Sequence, residues 1–317
     1  MKLSIVVPVY NAENSIHILL DSIIPASEDF EVICVNDGST DNTVKAIEKY
    51  DDKRIRVVSK ANEGTFKTWQ MGVKMATGDY ITILDQDDYI ESDYIGFIYD
   101  FITRVGADVL FTPYYVEKES GEKTICNIGI EEGLYRGKDY IDIKDQLLNG
   151  TVPYAKFTKV VKRELYLKQI ANTYPGQLRD FEDWLTMIEI FGMANSVLIC
   201  NKPYYHYIQY SNSVSKSTVS YSRNLESLIA ILDYMKANSV DMIGEKNYNA
   251  VSVKALYIMV RKCLSIEEYD VIDRILNMQI FHNNVLHSNL GIIKRVVFYT
   301  KSTWALKLYK RVSGKTK

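Results

Sequence analysis

The sequence predicts an α/β fold: a doubly wound, mostly parallel sheet with helices on both faces, followed by a helical C-terminal region. Three observations point there. Short apolar runs alternate with helix-period segments four times within about the first 85 residues, the rhythm of a parallel sheet with crossover helices. Two of those runs end in clustered carboxylates, Asn36-Asp37-Gly38-Ser39-Thr40-Asp41 and Leu84-Asp85-Gln86-Asp87-Asp88. After about residue 220 the pattern becomes helical throughout.

Residues 3–10 form a continuous apolar run, as expected of a strand covered on both faces; Pro8 closes it. Ile16, Leu19, Leu20, Ile23 and Ile24 give a helix ending near Pro25. Phe30–Val35 is the second strand, and Asp41 either caps the helix from Thr43 to Tyr50 or meets a ligand. Ile55–Ser59 is the third strand. The turn Asn62-Glu63-Gly64 opens a helix to Met75, and Tyr80–Leu84 is the fourth strand. Beyond Asp88 the spacing predicts a helix over 93–105, a strand over 107–115 and a polar hairpin over 117–135. A helix over 139–149, a strand into helix over 158–170, a helix over 180–192 and a Tyr-rich strand over 197–210 follow. The Ser-rich stretch 213–220 marks a boundary. Residues 1–215 are expected to form the α/β domain, and 216–317 a helical region with helices at 222–237, 248–264, 266–277 and 292–312.

Composition limits the function classes. The chain has 317 residues, 47% hydrophobic and 25% charged, with a net charge of −2. That balance gives no global attraction to nucleic acid. Cys34, Cys126, Cys200 and Cys263 show neither zinc nor disulfide spacing. The N-terminal segment is too short and too soon broken for a signal peptide, and no apolar run reaches 18 residues. A cytoplasmic protein is expected.

An apolar strand that ends in carboxylates is costly unless they reach solvent, a cation or a hydrogen-bonding ligand. In open α/β sheets ligands sit at the carboxyl ends of the strands. Two acid-tipped strands in one sheet therefore suggest a site for a polar, metal-linked ligand.

Here the motifs resemble a family 2 glycosyltransferase of GT-A (Rossmann-like) fold, inverting and of the bacterial cell-surface glycan type. The resemblance rests on Ser4-Ile5-Val6-Val7-Pro8-Val9-Tyr10-Asn11, Asn36-Asp37-Gly38-Ser39, Asn62-Glu63-Gly64, Leu84-Asp85-Gln86-Asp87-Asp88, the segment from Lys159 to Leu165, and Phe181-Glu182-Asp183-Trp184. It covers about residues 1–215. It implies transfer of a sugar from a nucleoside-diphosphate-sugar donor to a hydroxyl of a glycan, lipid-linked or teichoic-acid-type acceptor. Uridine diphosphate is the nucleotide it points to first. The alternative is a non-catalytic nucleotide-sugar- or glycan-binding paralogue.

The same resemblance implies residue roles. Asp87 would ligate Mn²⁺ or Mg²⁺, and Asp85 would share the metal or hold the ribose. Asp37 would accept from the base; Asn36 stands where the family pattern often has a second Asp. Pro8, Tyr10, Asn11, Asn62, Gly64 and Gln86 would line the nucleotide-sugar site, with Tyr10 either stacking on the base or packing at the sheet edge. Asp183 would be the general base and Glu182 would shape the site. Trp184 would wall the acceptor pocket or serve as a core residue. Lys159 would approach the donor or acceptor, or stay solvated. His206 would either ligate the metal or be structural, and Asp88 would more naturally brace the following turn. Ser213 and Ser215 resemble a flexible loop that closes on the diphosphate. Around residue 68 the family often carries an Ala-Arg-Asn segment; here Thr68-Trp69-Gln70 lacks the Arg.

The C-terminal segment has no Asp or Glu after Asp273, and its Lys and Arg alternate with apolar and aromatic residues. Such a helix can lie on the inner face of an anionic membrane. It can equally dock on the catalytic domain or pair with a second copy as a homo-oligomer.

Overall fold

The four early apolar runs become the parallel half of the sheet. In the computed structural model, which describes residues 2–149, 152–171, 181–210, 221–287 and 298, β1 (Leu3–Val9) and β2 (Phe30–Asp37) are buried along their whole length. They are flanked by β3 (Ile55–Lys60) and β4 (Tyr80–Ile83). Between them run α1 (Ile16–Ile23), α2 (Thr43–Glu48) and α3 (Thr65–Met75). Strands β3, β2, β1 and β4 pair in that order, all parallel. This makes their carboxyl ends, with Tyr10, Asp37 and Asp85 just beyond or at them, one edge of the sheet.

The chain from β5 onward is mixed. It contains β5 (Tyr89–Ile90), α4 (Tyr94–Asp100), which runs into a π-helical turn over Phe101–Val105, β6 (Val109–Phe111), β7 (Tyr114–Lys118) and β8 (Lys123–Cys126). Then come β9 (Gly133–Arg136), α5 (Lys138–Leu148), β10 (Lys159–Lys162), α6 (Arg163–Ala171), α7 (Glu182–Met193), β11 (Ser196–Ile199) and β12 (Tyr205–Gln209). The large sheet has the order β3-β2-β1-β4-β10-β6-β11-β9, and a small sheet has β5-β12-β7-β8. β10 is antiparallel to both β4 and β6, whereas β11 is parallel to β6.

The strands expected over 107–115 and 197–210 are each two strands. The first breaks at Pro113 and the second at Pro203, between residues that go to different sheets. Proline has no N–H to give a ladder and fixes φ, so a strand turns there. The two breaks match: β6 pairs with β11 on one side and β7 with β12 on the other, both parallel. The polar hairpin is present as β7 and β8, antiparallel, with its turn at Gly121.

By contact clustering the chain divides into Met1–Lys144 with Val152–Ser217, and Asp145–Thr151 with Thr218–Lys317. The second unit contains α8 (Tyr221–Asn238), α9 (Val240–Ile243), α10 (Glu245–Ile266), α11 (Tyr269–Asn277) and α12 (Gln279–Asn284). Apolar residues at helical spacing bury against one another there, among them Leu228, Ile231 and Met235 of α8 and Leu256, Val260 and Cys263 of α10. Phe298 packs edge-on to Tyr257 and Phe281. Apart from it, the helix expected over 292–312 lies outside the described residues, as do Ser213 and Ser215. No helix among the described residues is long and apolar enough to cross a membrane.

Candidate active site

The carboxyl ends of β1, β2 and β4 open onto a cavity of about 270 Å³. Pro8, Val9, Tyr10, Asp37, Thr65, Thr68, Asp85, Gln86 and Asp87 line it. Six expected site residues therefore share one cleft: Pro8, Tyr10, Asp37, Asp85, Gln86 and Asp87. Gln86 fixes its rim. Its Oε1 accepts from the Tyr10 amide at 2.7 Å and its Nε2 donates to the Tyr10 carbonyl at 3.0 Å. The Tyr10 ring is left 46% exposed, a free flat face beside the cavity.

Asn11, Asn62 and Gly64 are not among the lining residues. Asn11 sits at φ 47°, a region Asn tolerates better than most residues. It clamps the loop after β2: its amide donates to Ser39 Oγ, and its side-chain oxygen accepts from the Thr40 amide. Asn36 braces the same loop, accepting from the Ser39 amide and donating to Ser59 Oγ. Asp41 is a cap, accepting from the amide and hydroxyl of Thr43 and from the Glu13 amide.

Asp37 is almost fully buried and its carboxylate is well served. Oδ1 accepts from Lys60 Nζ at 2.7 Å and from the Glu63 amide; Oδ2 accepts from the Gly64 amide at 2.8 Å. Burial would raise its pKa, but the Lys60 ammonium, these amides and the Thr68 hydroxyl outweigh that and hold it below the usual value. The loop Asn62–Gly64 thus hangs on Asp37. Gly38 permits the close approach: its φ is +70°, and a Cβ there would lie 2.9 Å from the Asn62 nitrogen.

The three acids after β4 differ. Asp88 is buried and bonded to the Tyr205 hydroxyl at 2.6 Å and the Ile208 amide at 2.8 Å. Burial and the nearby Asp85 push it up to about 9. It ties the end of β4 to β12 rather than bracing the turn that follows it. Asp85 is pushed up to about 6 by burial, with Asp87 and Glu182 adding to the rise and Lys156 opposing it. Asp87 is also raised, by burial. Burial is the main cause of both rises. Hard oxygen donors of this kind fit Mg²⁺ or Mn²⁺, which take one or two carboxylates and complete their shell with substrate phosphate and water. No group of three or more His, Cys, Asp or Glu among the described residues is placed to hold a metal ion.

Asp183 and Glu182 stand at the first turn of α7, after Phe181 at φ 68°. Asp183 pairs with the ammonium of Lys156, and its Oδ2 accepts from the Lys156 amide at 3.3 Å. Lys156 is buried, yet Glu182 and Asp85 both act on its charge. It therefore links the α7 acids to the β4 acids. Trp184 is 9% exposed and edge-on to Phe181.

Two expectations are corrected. Lys159 is not at a ligand-accessible surface: it is fully buried, its ammonium lies 3.9 Å from the Phe111 ring centroid, and it donates to the carbonyls of Pro153 and Ala155. It staples the 153–155 loop from beneath. His206 does not join Asp85 and Asp87. Neighbouring strand residues point to opposite faces, and it is Tyr205 that faces the acids. His206 is sandwiched between Tyr89 and Tyr115, with Nε2 on Glu91 at 2.9 Å and Nδ1 on Glu117 at 3.2 Å.

Lys156 and Tyr205 are the residues that sequence reasoning missed. Tyr205 also accepts from the Asp85 amide at 3.2 Å and stacks on Phe157 at 4.2 Å. Nothing in the order Lys156, Lys159, Lys162 tells which lysine turns toward the acids; the loop closing over them decides it.

The model of the family described as Glycosyl transferase family 2 matches residues 4–167. Glycosyltransferase GlyA of Streptococcus pneumoniae is 29% identical over 231 residues, 68% of this chain and 32% of GlyA. GlyG of the same organism is 27% identical over 239 residues, 70% of this chain and 76% of GlyG. The poly(ribitol-phosphate) beta-N-acetylglucosaminyltransferase TarS of Staphylococcus aureus is 28% identical over 214 residues, 65% of this chain. The matched region spans about a third of GlyA and of TarS. The crystal structure of S. aureus TarS 1–349 in complex with UDP-GlcNAc superposes with a TM-score of 0.64 at 23% identity, covering 93% of this chain and 82% of that one. The complex with UDP gives 0.61 at 22%, covering 94% and 80%. With a family match over half its length, and with the sheet and acid-tipped strands described above, this chain belongs to glycosyl transferase family 2 and has the GT-A fold.

Proposed function

We propose that the protein transfers a sugar, with inversion, from a uridine-diphosphate sugar to a hydroxyl of a teichoic-acid-type or related surface glycan. The observation that carries this reading is the shared cleft: Tyr10, Asp37, Asp85 and Asp87 line one cavity, and Lys156 connects those acids to Asp183. Relatives described as poly(ribitol-phosphate) glycosyltransferases support the acceptor class. The TarS complexes with UDP-GlcNAc and UDP support the donor class.

Each residue has a physical task in this reading. The exposed Tyr10 ring stacks on the base, and Gln86 holds the Tyr10 backbone in place. Asp37 accepts from the base edge while keeping the 62–64 loop closed. Asp87 and Asp85 hold Mn²⁺ or Mg²⁺. A divalent cation there supplies the counter-charge for the departing diphosphate. Asp183 takes the proton of the acceptor hydroxyl as that oxygen attacks the anomeric carbon. Glu182 shapes the pocket, and Trp184 forms its wall. A cytoplasmic enzyme working near the inner membrane face would meet a lipid-linked acceptor there.

The test is a screen of nucleotide-sugars for release of nucleoside diphosphate, in Mn²⁺, Mg²⁺ or EDTA, with the anomeric configuration of product read by NMR. Turnover of a uridine-diphosphate sugar that stops in EDTA and gives an inverted product is expected. A retained configuration, or full turnover in EDTA, overturns the mechanism.

A further inference from the structure

Acids from two elements meet at the candidate site, with Lys156 among them. Asp85 and Asp87 come from the end of β4, and Glu182 and Asp183 from the start of α7. The ammonium of Lys156 pairs with Asp183 and lies within electrostatic reach of Glu182 and Asp85. It sits on the Trp69 ring, with Nζ 5.8 Å from the centroid, at the segment where the family pattern has an Arg and this chain has none. The backbone around it is anchored on both sides. Lys159 holds the carbonyls of Pro153 and Ala155. Phe157 stacks on Tyr205, whose hydroxyl is bonded to the Asp85 amide and to Asp88. Lys156 is therefore placed by the fold rather than by chance packing of a long side chain.

We propose that Lys156 is a positioning residue: its ammonium is a counter-cation of the acid cluster, aiming the Asp183 carboxylate and competing with a divalent cation for the field of Asp85. The proposal rests on the reading of Asp183 as base and of Asp85 and Asp87 as the cation site. A second positive charge close by weakens binding of the first, because in a poorly solvated site the repulsion is only partly screened. Removing it has two effects, tighter cation binding and an Asp183 carboxylate that is more basic but no longer aimed. A lysine that merely stabilised the fold would produce neither.

The experiment compares Lys156→Met and Lys156→Arg with the unaltered protein. Mn²⁺ alone is titrated and followed by electron paramagnetic resonance, and steady-state kinetics are measured on the uridine-diphosphate sugar found by the donor screen. For Lys156→Met, Mn²⁺ affinity should rise about tenfold. Its kcat should fall roughly 10- to 100-fold, with donor KM changed less than about threefold. Lys156→Arg keeps the charge and should restore both values most of the way. Unchanged or weaker Mn²⁺ binding in Lys156→Met, or an Arg variant no better than Met, overturns the proposal. If Lys156→Met loses its circular dichroism signal, the Arg variant and Lys156→Gln carry the same comparison. Asp87→Ala separates the two levels: if it binds Mn²⁺ as the unaltered protein does, the cation site itself is misplaced.

Discussion

The side chain of Gln86 and the backbone of Tyr10 close a two-bond ring, with the Tyr10 amide donating to Oε1 and the Tyr10 carbonyl accepting from Nε2. A carboxamide thus ties the chain after β1 to the loop after β4, beyond their last paired residues, Val6 and Ile83. The residue between Asp85 and Asp87 therefore sets the height and angle of the exposed Tyr10 ring. Gln86→Ala should weaken UDP binding about tenfold by calorimetry, since each neutral hydrogen bond contributes about 1 kcal/mol. Gln86→Glu keeps the acceptor but loses the donor and should fall between the two.

Asp87→Ala should abolish sugar transfer and weaken UDP binding, and Asp85→Ala should act in the same direction. Calorimetry with Mn²⁺ and with EDTA checks this. UDP binding that is equally strong in EDTA would remove the cation from the account.

Asp183→Asn should keep the fold and the donor affinity while turnover falls roughly 10²- to 10⁴-fold, the range expected on loss of a general base. Single-turnover kinetics at saturating donor report it. A near-normal rate would mean that another group takes the acceptor proton.

His206→Phe should lower stability by about 1–3 kcal/mol, because Glu91 and Glu117 lose their shared partner. Mn²⁺ affinity should stay within about twofold of the unaltered protein. A large loss of Mn²⁺ affinity in a folded variant would return the histidine to the metal.

Asp108 makes a pH-dependent contribution at the far end of the sheet. It accepts from Lys162 Nζ at 2.9 Å and from the Asn195 amide at 2.7 Å, joining β6, β10 and the turn before β11. Burial would raise its carboxyl, but the Lys162 ammonium and these donors hold it below the usual carboxylate value. Its stabilisation is therefore present above the ordinary carboxylate pKa and is lost as pH falls through the depressed native one. Asp108→Asn should cost about 2 kcal/mol at pH 7 and very little near pH 2. Urea melts across that range test it; an equal loss at both ends would contradict the ionic role.

The parallel half of the fold was legible because its signals are local. Continuous apolar runs, Gly38 and Gly64 at positive φ, and acids at strand ends all act within a few residues. The cleft lined by Tyr10, Asp37, Asp85 and Asp87 was legible for the same reason. The lysines and His206 were not, because long-range closure decides their burial. Lys159 is buried by Phe111 and its own loop, and Lys156 by Trp69 and α7. Whether His206 or Tyr205 faces the acids depends on the register resumed after Pro203. The prolines themselves were visible, but not that the chain on either side of them enters different sheets.

The matched breaks at Pro113 and Pro203 have a consequence for the order of assembly. The cleft residues from Pro8 to Asp87 lie within one stretch of about 80 residues, so loop closure there is short. The support under Asp88 spans 120 residues to Ile208, and β12 pairs with β5 and β7 only once both broken strands are in place. Contacts of such separation form slowly. During refolding, binding of UDP to the N-terminal strands should therefore be recovered before the hydrogen bond from the Tyr205 hydroxyl to Asp88 is locked. A stopped-flow experiment following UDP binding beside tyrosine fluorescence would resolve the two events in time.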